Sequence, residues 1–303
     1  MYDTILVPLD GSSLAEAALP MAQLMARAFK SRIILFHVVE DNPPSDIHGE
    51  HHLAGRKEAE TYLDALATAL RSEVSGSALD ISFHVDVEKD YGVTGGIVEH
   101  LEELKPDLVV LCSHGRGGLK HALVGSIAAR VTGRGSVPVL LVRSEWKQCG
   151  HPEFSHILVA LDSASIHDTS IETAVEVAKS TGSNLSLLTV VPTFSTLKGK
   201  QAAPRLMLPG TTKLVLEMEE KAMNEHLREH IEELEQAGLQ ARAYVWRGDA
   251  ARQIAKASKK LDTCLVVLGT HGRTGLEAFW ANSVAAKVAS LTDKPLLLLP
   301  MEN

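Results

Sequence analysis

The sequence predicts an α/β fold built from two copies of one domain set end to end. Three observations predict it. The length of 303 residues suits two domains of ordinary size. Motifs recur at a near-constant spacing along the chain. Short aliphatic runs alternate with stretches of helical periodicity, the pattern of a parallel sheet covered by helices. With 45% hydrophobic and 22% charged residues, each half can close a core without disulfides. Aromatic residues make up only 4%, so that core is aliphatic.

The repeat is explicit. Ile5-Leu6-Val7-Pro8-Leu9-Asp10 returns as Ile157-Leu158-Val159-Ala160-Leu161-Asp162, an offset of 152. Ile34 to Val39 returns as Ser186 to Val191 at the same offset. Val109-Val110-Leu111-Cys112-Ser113-His114-Gly115-Arg116 returns as Val266-Val267-Leu268-Gly269-Thr270-His271-Gly272-Arg273, now at 157. Pro138 and Pro295 keep that second offset. The second copy therefore carries a net insertion of five residues after its second strand. The copies are expected to span 1–146 and 153–303, joined through the polar stretch Arg143–Ser155.

Within copy one the aliphatic runs 4–9, 32–39, 81–87, 107–112 and 138–142 read as strands buried on both faces. Leu14, Ala18, Met21, Ala22, Met25 and Ala28 have i, i+3, i+4 spacing and predict the first helix. Ala59, Leu63, Leu66 and Leu70 predict the second. In copy two, Ala222, Met223, Leu227, Ile231 and Leu234 form the stripe of a long helix. Strand–helix alternation at these lengths implies right-handed crossovers. In open α/β sheets, ligands bind beyond the C-terminal ends of the strands, so the residues there matter most.

The first strand ends at Asp10 in one copy and Asp162 in the other. Asp10 precedes Gly11-Ser12-Ser13 and could equally serve as a helix N-cap. The fourth strand runs into Cys112-Ser113-His114-Gly115-Arg116-Gly117-Gly118 and reaches Gly125-Ser126 at a helix start. Its repeat runs through Gly269-Thr270-His271-Gly272-Arg273-Thr274-Gly275 to Asn282-Ser283. A glycine-rich loop leading into a helix N-terminus lets backbone N–H groups approach an anion closely. A lone loop of this kind would be weak support; the same loop twice, at the same place in a repeat, points to phosphate.

These residues resemble the universal stress protein family, and the resemblance spans nearly the whole chain as two tandem domains. It implies Rossmann-like domains of the adenine nucleotide alpha hydrolase-like type, each a five-stranded parallel sheet with helices on both faces. The family's ATP-binding branch carries Gly-x2-Gly-x9-Gly-Ser/Thr and an Asp ending strand one. Copy one keeps Gly115, Gly125 and Ser126 but has Cys112 for the first glycine. Copy two keeps Gly269 and Gly272 but has Asn282 before Ser283. The resemblance places ATP, with ADP or AMP as alternatives and Mg2+ accompanying ATP, on these loops. Gly115, Arg116, Gly118, Gly125 and Ser126 would hold phosphates in copy one, and Gly269, Gly272, Gly275 and Ser283 in copy two. Asp10 and Asp162 would face the ribose or adenine, and the backbone around Val39 and Val191 would meet adenine. Because copy one keeps the Gly125-Ser126 step, it is expected to bind more tightly. The family's domains pair through their last strands, which implies an internal pseudo-dimer and admits a homodimer.

Other classes fit less well. The net charge is −8 overall, with −6 in residues 1–150 and −2 in 151–303, so no basic surface invites nucleic acid. Three cysteines make neither a disulfide framework nor a metal pattern. The N-terminus shows no signal-peptide pattern, and no apolar run approaches the ~18 residues of a membrane helix. The expectation is a cytoplasmic protein with no membrane partner. His114 and His271 lack a matched nucleophile, so a dedicated enzyme is not expected, although slow ATP hydrolysis occurs in the family. His226 and His230 have a spacing that could hold zinc, but read as a solvated helix face. His48, His51 and His52 cluster in an acidic loop. The loop 192–212 of copy two, with Lys198, Lys200 and Arg205, could cover the ligand side. The runner-up function is an interaction module whose copies have lost nucleotide binding.

Overall fold

The computed structural model describes residues 1–41, 43, 46–47, 49–72, 79–87, 92–113, 128, 130–132, 137–144, 146, 154–162, 169–197, 208–271 and 283–301. The chain divides into two compact units. Unit 1 comprises Met1–Pro152, Thr270–Ala281 and Pro295–Asn303, and unit 2 comprises Glu153–Gly269 and Asn282–Lys294.

Unit 1 is built on strands β1 (Thr4–Pro8), β2 (Arg32–Val39), β5 (Ile81–Val87), β6 (Leu108–Ser113) and β7 (Val139–Arg143). A short hairpin, β3 (Asp46–Ile47) and β4 (Glu50–His51), follows β2. The five main strands run parallel in the order β5-β2-β1-β6-β7. All five expected runs form, within one residue at each end. Every residue of β1 is buried, and so are the last seven of β2. Burial of consecutive residues requires cover on both faces, which helices α1 (Ser13–Glu16), α2 (Leu19–Phe29), α3 (Arg56–Ser72) and α4 (Gly92–Leu104) supply.

The Leu14–Ala28 stripe becomes two helices rather than one. Pro20 lacks an N–H and fits the first turn of a helix, so α2 starts beside it while α1 ends one residue before the break. In α3 the fully buried residues are Ala59, Leu63, Ala67 and Leu70. Leu66 lies half-buried at the margin of that stripe.

Unit 2 contains β8 (His156–Leu161), β9 (Asn184–Val191), β10 (Ala241–Arg247) and β11 (Leu265–His271) as far as Gly269, parallel in the order β10-β9-β8-β11. Its helices are α5 (Thr169–Thr181), α6 (Pro209–Gln236), α7 (Ala250–Lys260) and α8 (Val284–Leu291). Helix α6 runs 28 residues and buries Leu216, Leu227 and Leu234, whereas Ala222 of the expected stripe points to solvent.

The fifth strand of the second copy, β12 (Leu296–Met301), belongs to unit 1, where it pairs antiparallel with β7. Four consecutive leucines, Leu296 to Leu299, are buried there. Two such apolar strands remove each other's open edge, which would otherwise template aggregation.

The repeat also holds at the level of single bonds. Ser31 Oγ donates to Tyr2 O, and Ser183 Oγ donates to Phe154 O. Ser113 Oγ donates to Val142 O at 3.3 Å, and Thr270 Oγ1 to Leu299 O at 3.0 Å. Asp107 accepts from the N–H groups of Asp3 and Thr4; at the matching place Cys264 Sγ accepts from those of Ser155 and His156. After the matching helices, Lys30 and Gly182 both take left-handed conformations at φ 58° and 71°.

Candidate functional site

In unit 1 the chain leaves β1 through Asp10 and a tight turn. Asp10 Oδ1 accepts from Ser12 N at 2.9 Å and Ser12 Oγ at 2.6 Å. Ser12, not Asp10, is the N-cap of α1, accepting from Ala15 N at 3.2 Å. The Asp10 carboxylate is thus fixed one step ahead of the cap. Between them Gly11 has φ +87°, and a Cβ there would lie 2.8 Å from Leu53 Cγ. No side chain fits at this turn.

The segment between β2 and α3 folds back over the turn. Glu50 accepts from Ser13 N at 2.9 Å and from Ser13 Oγ at 2.6 Å. Glu58 Oε2 accepts from Ala54 N at 3.0 Å, and its Oε1 stands 2.7 Å from His51 Nε2. These bonds lower the Glu58 carboxyl pKa, the Ala54 N–H contributing most. Tyr62 donates from its OH to Glu16 at 2.9 Å; burial first, and the Glu16 charge second, raise its pKa.

Two buried histidines meet here, one on β2 and one within this segment. His37 on β2 is 3% exposed and His52 is 2% exposed, with ring centroids 6.5 Å apart. His37 Nδ1 lies 2.7 Å from Leu9 O, so Nδ1 carries the proton and donates. Burial depresses the pKa of His37, leaving a neutral ring whose Nε2 has no protein partner. His52 Nε2 faces Glu40 at 3.7 Å, and its Nδ1 is likewise unpartnered. On the other side of Asp10, Cys112 is the penultimate residue of β6. Burial, followed by the Asp10 charge, pushes its thiol up to about 12. At neutral pH Cys112 is a small uncharged side chain, not a nucleophile.

The C-terminal ends of β1, β2 and β6 thus bring Asp10, His37 and Cys112 together. Val39 closes β2 with its side chain buried. Sequence reasoning found Asp10, Val39 and Cys112 but missed the His37–His52 pair, because fifteen residues and a hairpin separate them. It grouped His52 with His51, yet His51 is exposed against Glu58 while His52 is buried. Among the described residues no group of three His, Cys, Asp or Glu side chains could hold a metal ion.

Unit 2 treats the matching positions differently. Asp162 is exposed where Asp10 is half-buried. Val191 is fully buried in a cluster with Leu197 and Leu216, flanked by Met223 and Val245. Its carbonyl accepts from Gly248 N at 3.0 Å, and Thr196 Oγ1 donates to Gly248 O at 3.2 Å. Gly269 lies within β11. Ser283 is the N-cap of α8, accepting from Ala286 N at 3.0 Å. Gly115, Arg116, Gly118, Gly125, Ser126, Gly272 and Gly275 lie outside the described residues, as do His48, His114, Asn282 and residues 198–207. Helix α6 begins at Pro209, inside the expected 192–212 loop.

No helix among the described residues is long and apolar enough to cross a membrane. Universal stress protein Sll1654 of Synechocystis is 32% identical over 142 residues, covering 47% of this chain and 86% of that protein. Universal stress protein Rv2005c of Mycobacterium tuberculosis is 26% identical over 193 residues, covering 63% of this chain and 61% of its own length. A universal stress protein structure from Archaeoglobus fulgidus aligns with 99% of this chain and 98% of its own at a TM-score of 0.67 and 17% identity, a likeness of fold. The family model of the universal stress proteins matches twice, over residues 1–143 and 153–300. The chain is a tandem member of the universal stress protein family.

Proposed function

We propose that the chain binds an adenine nucleotide, with ATP preferred over ADP or AMP and Mg2+ accompanying ATP, and serves stress response or regulation through the liganded state. The observation that carries this reading is the Asp10 carboxylate, pre-oriented by two bonds from Ser12 at the C-terminal end of β1. A carboxylate held in place loses little freedom on accepting ribose or adenine donors. Asp10 and the Val39 backbone would receive the nucleoside. Gly115, Arg116, Gly118, Gly125 and Ser126 would receive the phosphates, their backbone N–H groups matching anionic oxygens. The neutral Cys112 thiol fits beside an anion better than a thiolate would.

Copy two is the weaker partner in this reading. Asp162, Val191, Gly269, Gly272, Gly275 and Ser283 occupy the matching positions. Val191 O already accepts from Gly248 N and Ser283 Oγ already caps α8, so both would have to share or exchange a partner. Asn282 adds a side chain where phosphate would meet backbone. No dedicated hydrolase is proposed: activating water at the γ-phosphate needs a positioned base or metal carboxylate, and none is assigned. Pairing of the two copies through their last strands is part of the proposal, and the antiparallel register of β7 with β12 supports it.

Native mass spectrometry of freshly purified chain tests the reading. One adenine nucleotide per chain is expected, and it is lost in Gly125→Val. A second reading, the interaction module without nucleotide, draws on α6 and its entry, where Leu208, Leu214, Val215 and Met218 are each more than half exposed. A chain that carries no nucleotide and ignores added ATP would favour that module.

A further inference from the structure

His226 and His230 stand one turn apart on helix α6, both partly exposed, and their rings meet on that face. Their Nε2 atoms approach to 3.2 Å. Their ring centroids are 4.5 Å apart, with planes crossed at 77°. Two imidazoles bound to one tetrahedral ion at about 2.0–2.1 Å hold their nitrogens about 3.3 Å apart. The two rings already have the separation of a chelate. Without an ion, one Nε2–H donates to the other Nε2.

A second contact points the same way. The Glu233 carboxylate, one turn further along, stands 3.4 Å from His230 Nδ1. A carboxylate behind a histidine favours the proton on the near nitrogen and turns the far lone pair toward a metal. The His230 side chain keeps 24% of its exposure, so an ion can reach it from solvent. The helix fixes both Cα positions, and little ordering remains to be done on binding.

We propose that His226 and His230 form a bidentate site for a borderline divalent transition-metal ion, with Glu233 as its positioning residue. Imidazole donors select Zn2+, Cu2+, Ni2+ or Co2+ over Mg2+ and Ca2+. No third His, Cys, Asp or Glu completes the set among the described residues. The ion therefore keeps open positions, as in sites where a metal takes an external ligand rather than a purely structural role. On binding, the donor ring exchanges its Nε2–H for an Nδ1–H, so both imidazoles stay neutral and both Nε2 lone pairs face the ion. The site stands apart from the nucleotide reading and does not depend on it.

The test uses the full-length chain, with Cu2+ followed by electron paramagnetic resonance and Zn2+ by calorimetry. The expected result is one tight equivalent, with two nitrogens coupled to copper. His226→Ala and His230→Ala each abolish that equivalent, Glu233→Gln weakens it about tenfold, and His51→Ala leaves it unchanged. Alanine is the best helix former, and far-UV circular dichroism checks that α6 persists. His226→Gln, which keeps the side chain but not the donor, must lose the site as well. Retention of the equivalent in the double alanine variant, or copper bound through a single nitrogen, would overturn the assignment.

Discussion

The two copies agree at the starts of their strands and differ at the ends. At the starts, serine-to-carbonyl bonds recur at matching positions, Ser31 to Tyr2 and Ser183 to Phe154. Even where the residue changes, the job survives, as when Cys264 replaces Asp107 as acceptor for two strand N–H groups. At the ends, copy one wraps a hairpin over Asp10 and buries His37 and His52, whereas copy two exposes Asp162 and ties Val191 to Gly248. The starts of the strands are scaffold under packing constraint, and the ends, where ligands of such sheets bind, are where the copies differ in burial and hydrogen bonding.

The largest difference between the two strand ends is expected at Gly11. The sequence puts Ser163 in its place in copy two. Gly11→Val meets both the positive φ and Leu53 at 2.8 Å and is expected to cost about 3 kcal/mol in urea unfolding. A neutral effect would mean that the segment over Asp10 is loosely held.

Acid comes next. Burial lowers the His37 pKa below its ordinary value near 6.5, so the unfolded chain takes up a proton that the folded chain refuses. Stability is then full above pH 6.5 and falls as the pH drops below it, by up to about 1.4 kcal/mol per pH unit. His156 in unit 2 is lowered for the same reason, burial leading. Urea midpoints at pH 7.5 and 5 should differ less in His37→Asn than in the parent chain, and less again when His156→Asn is added.

The acceptor swap at the strand starts gives a smaller effect. Asp107→Ala removes bonds to an acidic side chain and is expected to cost about 1.5–2 kcal/mol, against about 0.5–1 kcal/mol for Cys264→Ala. Chemical denaturation of the two variants measures the difference. Smallest is the helix end after α2. Lys30 holds a left-handed conformation at φ 58° that Gly182 holds at φ 71° in the other copy. Lys30→Gly should stabilise by roughly 0.5 kcal/mol, seen as a raised Tm.

The strands were legible because a run such as Ile33 to Phe36 has no polar face to offer solvent, and only a sheet covered on both sides uses it. The partner of β12 was not legible in the run itself, since Leu296 to Leu299 carry no mark of register or direction; it was legible only through the resemblance, which implies pairing through the last strands. At the site, Asp10 stood out by its place after an apolar run. The cap fell to Ser12 because an Asp at a strand end can bond forward to the next hydroxyl, and sequence offers both choices. His37 and His52 were invisible because their meeting depends on how the hairpin folds back. For His226 and His230 the spacing was readable, but the 3.2 Å approach depends on side-chain rotamers.

In the proposed function, copy one binds nucleotide and copy two does so weakly or not at all. Because β12 completes unit 1, cutting the chain between the copies would strip a strand from the half under test. The direct measurement is therefore calorimetry of ATP binding to the full chain and to its Asp10→Ala and Asp162→Ala variants. One tight site is expected, lost in Asp10→Ala and retained in Asp162→Ala. A tight site that survives Asp10→Ala and disappears in Asp162→Ala would assign nucleotide to copy two instead and overturn the assignment to copy one.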